Sequence, residues 1–131
     1  MRQDCYVAIN FDGTCVEHNY PKVGMDIGAD PWLRAAVALK AKLILNTSRC
    51  GPELGAAIDW FEDHDVKLWD TNNNPEQYKW TKSAKLYAHI YVESTALGAP
   101  MNPRTERKKP HMNWDLAGPM LLRRIAGILN Q

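Results

Sequence analysis

Four short stretches bring together the residue types that phosphoryl transfer needs. Asn10-Phe11-Asp12-Gly13-Thr14 closes an apolar run with an acid-Gly-Thr turn. Thr47-Ser48-Arg49 closes a second run, Ser83-Ala84-Lys85 precedes a third, and Glu93-Ser94 closes that third one. Such chemistry requires a nucleophile, a cation that offsets the phosphate charge, and donors for the phosphoryl oxygens. Mg²⁺ takes a few carboxylate or carbonyl oxygens and keeps several waters. Residue 10, the backbone carbonyl of Asp12 and the Glu93 carboxylate could surround one such ion. The Thr47 hydroxyl and the amides of the turn at Ser48 could hold phosphate oxygens at a helix N-terminus. Lys85 would add a fixed positive charge, and Asp12 is placed as a general acid or base.

The elements that must position these groups are legible as hydrophobic periodicity. Cys5–Ile9 is a short, nearly continuous apolar run, as expected of a buried parallel strand. Asp30 and Pro31 open a helix as N-cap and first helical residue. Lys42–Thr47 reads as a second strand. Leu54, Ala57, Ile58 and Phe61 fall at helical spacing in a segment that opens at Ser48 to Pro52 and ends near Asp63. Val66–Trp69 and Leu86–Val92 read as third and fourth strands, separated by an Asn-rich loop over 70–77. A Pro-punctuated loop runs through Met112, and Asn113 caps a final helix in which Pro119 marks a late start. Alternation of this kind predicts a single α/β domain over residues 1–131, with a parallel sheet and helices on both faces. Ligands bind such sheets at the C-terminal ends of the strands, which is where Asn10, Asp12, Thr47, Ser48 and Glu93 fall.

These motifs resemble those of the haloacid dehalogenase-like (HAD-like) hydrolase superfamily. Asn10-Phe11-Asp12-Gly13-Thr14 is similar to its first motif except at the nucleophile. Leu43-Ile44-Leu45-Asn46-Thr47-Ser48-Arg49 is similar to the second, and Lys85 to the lysine of the third. Tyr91-Val92-Glu93-Ser94 stands where the family usually carries two adjacent acids. The resemblance spans nearly the whole chain and is nearest to small members without a large cap. It implies a three-layer α/β/α Rossmann-like fold and a Mg²⁺-dependent phosphomonoesterase. The nucleophile stands at position 10, Asp12 is acid/base, Thr47, Ser48 and Lys85 bind phosphate, and residues 10, 12 and 93 hold the metal. The substrate would be a phosphorylated small molecule or an exposed phosphate on a larger one. Asn10 is a poor nucleophile, and with Ser94 the site has lost two negative charges, so catalysis is expected to be strongly reduced or absent and Mg²⁺ weakly held. A lone change at position 10 would mark an engineered substitution; the second departure at Ser94 favours natural loss. The alternative is a non-catalytic relative that binds a phosphorylated ligand or a protein partner.

Composition narrows the remaining classes. Lys and Arg number 16 against 15 Asp and Glu, so global charge makes no case for nucleic acid or membrane. Only the run Arg104, Arg107, Lys108, Lys109 is locally basic, which by default is a solvated loop and leaves a nucleic-acid role weakly supported. Cys5, Cys15 and Cys50 read as reduced, inert thiols, and His18, His64, His89 and His111 lack metal-ligand spacing. No membrane-length apolar run or signal-peptide core is present, so a cytoplasmic location is expected.

Overall fold

The computed structural model describes residues 3–131. It is a mixed α/β fold with a four-stranded parallel sheet and three α-helices. In chain order these are β1 (Tyr6–Ile9), α1 (Asp30–Ala38), β2 (Lys42–Leu45), α2 (Gly51–Asp63), β3 (Asp70–Thr71), β4 (Ile90–Val92), β5 (Met101–Asn102), β6 (His111–Met112) and α3 (Trp114–Leu129). The sheet order is β3-β2-β1-β4, with Val7 opposite both Leu43 and Ile90. β5 and β6 form a separate antiparallel ribbon. Among the described residues no helix is long and apolar enough to cross a membrane.

Successive side chains of a strand point to opposite faces, and Val7, Ala8 and Ile9 are all fully buried, so β1 is covered on both sides. The two covers differ in kind. Val7, Ile9, Leu43 and Leu45 share one apolar cluster with Leu33 of α1, Phe61 of α2 and Ile125 of α3. Tyr6 points the other way and is covered by rings and polar groups. It stacks on Trp69 and His89, and its hydroxyl donates to Glu76 Oε1 at 2.7 Å. That second cover is segment 72–89, which holds a 3₁₀ turn over Gln77–Lys79.

Several element boundaries differ from the sequence reading, each for a visible reason. The third strand is Asp70–Thr71, none of it within Val66–Trp69 and all of it in the stretch read as a loop, because the Val66 amide closes the end of α2, donating to Phe61 O at 2.8 Å. The fourth is only Ile90–Val92. The Tyr91 hydroxyl folds the preceding chain back by donating to Leu86 O and accepting from Ala88 N–H. Asp30 is not the N-cap of α1; Ala29 holds that position, and Asp30 lies in the first turn, where it pairs with Arg34 at 3.0 Å. α2, by contrast, runs Gly51–Asp63, inside the Ser48 to Pro52 opening and up to the Asp63 end that the spacing predicts. Pro119 does not delay α3, which starts at Trp114 and carries the proline inside it. The Asn113 carbonyl accepts from Leu116 and Ala117 there, while the Trp114 indole N–H is anchored on Thr14 O at 2.7 Å.

Candidate functional site

The turn after β1 is held by its own backbone. Thr14 and Cys15 amides both donate to Phe11 O, and Gly13 occupies φ +78, a region open to glycine at little cost. A side chain at Gly13 would also stand 2.9 Å from the Ser94 hydroxyl, so the turn lies against the end of β4. β1 and β2 are in register, and this puts Asn10 beside Asn46. A cleft of about 330 Å³ opens there, lined by Asn10, Asp12, His18, Tyr20, Thr47, Ser48, Arg49 and Thr95.

The polar groups at its base are cross-linked. Asn10 Nδ2 donates to Asn46 O at 3.3 Å, and the Thr14 hydroxyl donates to Asn10 Oδ1 at 3.2 Å. Thr14 Oγ1 in turn accepts from the Ser94 amide. Asn46 Nδ2 donates to Glu93 Oε1 at 2.9 Å. The Thr47 amide is taken up by Asn72 Oδ1, and Thr47 Oγ1 accepts from the Arg49 amide.

Arg49 is the residue that sequence reasoning missed. Its side chain is 1% exposed, yet all five of its N–H donors are used. Nε and Nη2 grip Asp12 Oδ2 and Oδ1 at 2.8 and 2.7 Å; Nη2 also donates to Lys22 O, and Nη1 to Pro21 O and Glu53 O. A guanidinium supplies this fork geometry, and full satisfaction offsets the cost of burying its charge. The Asp12 bonds hold the Arg49 pKa above its ordinary value. The only signal in the sequence is that Arg49 follows Thr47-Ser48 directly.

Of the predicted site residues, Asn10, Asp12, Thr47 and Ser48 therefore share one cleft. Glu93 joins them through Asn46 but lines a neighbouring hollow with Asn46, Leu86, Tyr91 and Lys85. Lys85 is exposed, with Nζ 5.6 Å from the Tyr91 ring centre, and is not among the residues lining the Asn10 cleft. Asn10 Oδ1, the Asp12 carbonyl and Glu93 are oxygens of the class Mg²⁺ accepts, but with Asp12 neutralised by Arg49 only Glu93 brings charge. Among the described residues no three His, Cys, Asp or Glu side chains converge on a metal position. Cys15 is fully buried, which pushes its thiol pKa well up, and its Sγ lies 3.3 Å from Asn10 O; a thiol so placed is not a nucleophile.

The chain matches no family model and no curated protein. It is similar to a solved structure described as a conserved protein from Bacteroides thetaiotaomicron. The two share 28% identity and a TM-score of 0.70, over 92% of each chain.

Proposed function

We propose that this chain is a HAD-like phosphohydrolase scaffold whose cleft binds a phosphate monoester and whose turnover is silenced at residue 10. The supporting observation is the convergence of Asn10, Asp12, Thr47 and Ser48 on one cleft at the C-terminal edge of a parallel sheet. In this reading the fold is the family's three-layer arrangement, with segment 72–89 as the layer opposite the helices. Asn10 stands where an aspartate would attack phosphorus. Its carbonyl oxygen carries no charge and is occupied by the Thr14 hydroxyl. The Thr47 hydroxyl keeps its proton for a phosphoryl oxygen, and exposed Ser48 adds donors at the rim. Mg²⁺ would be held by Asn10 Oδ1, the Asp12 carbonyl and Glu93, and when bound would offset charge on the phosphoryl oxygens. The test is hydrolysis of an aryl phosphate with Mg²⁺ by the chain and by Asn10→Asp. The expected result is turnover by the variant alone. Equal turnover by both, unaffected by Asp12→Ala, would sink the assigned roles.

A second reading has its own support. Asp12 spends both carboxylate oxygens on Arg49, and Asn10 spends its amide on Asn46. Neither group is free for proton transfer or attack as it stands. This suits a non-catalytic relative that holds a phosphorylated ligand. It predicts ligand binding in the cleft and no activity on restoring aspartate at position 10.

A further inference from the structure

Resting on that reading of the cleft, we propose that its ligand is the phosphorylated end of a single-stranded nucleic acid. The cleft is open, and the segment after the first turn forms one wall. That wall presents two exposed rings, His18 and Tyr20, and Tyr20 is 54% exposed. The Tyr20 ring lies 5.1 Å from the Arg49 guanidinium, and Arg49 holds the next two residues by Pro21 O and Lys22 O. The ring is therefore supported from below by a saturated arginine while its other surface is free. A flat aromatic surface beside a phosphate pocket suits base stacking, which is tolerant of sequence.

The basic run lies against this same wall. Lys108 Nζ sits 3.1 Å from Glu17 Oε1, a buried oxygen that has no hydrogen-bond donor of its own. Glu17 immediately precedes His18. This ion pair ties the β5–β6 loop to the rim, and Arg104, Arg107 and Lys109 remain exposed on it. With Lys108 paired, the loop sets three exposed cations against one exposed acid, Glu106, so in a chain with 16 basic and 15 acidic residues it carries a local positive excess beside the cleft. The terminal phosphate sits at Thr47 and Ser48, the first base stacks on Tyr20, and the following phosphates meet the 104–109 loop. A small phosphoester would use the first of these contacts and leave the loop and ring idle.

The experiment is fluorescence anisotropy on the full chain with a dye-labelled single-stranded octamer. The octamer is used with a 5′-phosphate, a 3′-phosphate or neither. Phenyl phosphate binding is followed separately by calorimetry. One phosphorylated end is expected to bind at least about tenfold tighter than the unphosphorylated octamer. Its affinity should fall with salt at a log–log slope of about 0.7 per phosphate contacted. Tyr20→Ala should weaken it about tenfold. Arg104→Glu/Arg107→Glu/Lys109→Glu, all at exposed positions, should remove the salt dependence while phenyl phosphate binding is unchanged. Binding that ignores the terminal phosphate overturns the proposal, as does a charge-reversed loop that binds as well as the parent. Phenyl phosphate binding lost on Thr47→Val, with no octamer binding, removes the nucleic acid and keeps the phosphate site. Failure of both ligands removes both readings.

Discussion

Asp12 and Arg49 form the pair on which the cleft depends. Removing one partner of a buried ion pair strands the other's charge, at a cost of about 3–5 kcal/mol. Arg49→Met keeps the volume but abandons the Asp12 carboxylate and three backbone carbonyls. It is expected to lower the urea midpoint by the equivalent of about that range. A loss under about 1 kcal/mol would mean that water replaces the guanidinium without difficulty. A pair that titrates lies on the helix side. His64 Nε2 is 2.8 Å from Asp26 Oδ2, and its Nδ1 is 2.7 Å from Trp60 O. Burial lowers the His64 pKa, but bonds to Asp26 and to the Trp60 carbonyl outweigh it, and the net shift is upward from 6.5. Burial likewise raises Asp26, and bonds from the Trp60 indole and His64 outweigh it to leave a pKa below 3.8. The raised histidine stabilises fully below pH 6.5, and that share is lost as pH climbs through its folded value. The depressed aspartate stabilises above pH 3.8, and its share is lost on acidification. Asp26 is 53% exposed, so the pair contributes about 1 kcal/mol or less. A melting temperature that falls between pH 6 and 8 is expected, with the slope reduced in His64→Gln. An unchanged slope in that variant would place the titration elsewhere.

At the scale of elements, α1 and α3 meet at Gly118. A methyl group there would stand 2.1 Å from the Trp32 ring, so the helices approach at a distance that only glycine permits. Gly127 lies in the same helix with open space around it. The two therefore separate packing from propensity. Gly118→Ala is expected to destabilise by about 1–3 kcal/mol through overpacking. Gly127→Ala should stabilise by about 0.5–1 kcal/mol through helix propensity. Thermal melts of both variants test this; a neutral Gly118→Ala would mean that Trp32 moves aside freely. The Asp30-Pro31 start signal located α1, and periodicity located α2 and the first two strands to within a few residues, because their apolar spacing is set by burial on a regular backbone. It failed where a side chain outside the pattern decides the path. The Tyr91 hydroxyl cuts the fourth strand short, and the Asn113 carbonyl together with the Trp114 anchor starts α3 ahead of Pro119.

Across the whole molecule, the strand-end location of Asn10, Asp12 and Thr47 was readable because a parallel sheet sends its strand ends to one edge. Arg49 was not readable as their partner. Its bonds run to Pro21, Lys22 and Glu53, and the approach of those backbone carbonyls is a property of the packed chain. Nor could alternation of strands and helices reveal that segment 72–89, rather than a helix, lies against the second face of the sheet. That arrangement divides the protein into parts of unequal cohesion. One side of β1 is sealed by a continuous apolar cluster from three helices. The other is fastened by rings and a few polar links: Tyr6 stacks on His89 and meets Tyr87 edge-on, Tyr6 and Lys42 bond Glu76, and no residue of 72–89 joins the helix-side cluster. Regions with few apolar contacts open at lower free energy than the core. Segment 72–89 should therefore detach as a unit while the helices stay docked, and limited proteolysis under native conditions should cut near exposed Tyr78, Lys79 and Lys82 first. Early cleavage within α1 or α3 would contradict this. Because Glu93, Lys85 and Leu86 border the hollow beside the cleft, each such opening would also loosen one wall of that hollow. The side of the sheet that carries no helix is then the protein's own breathing point.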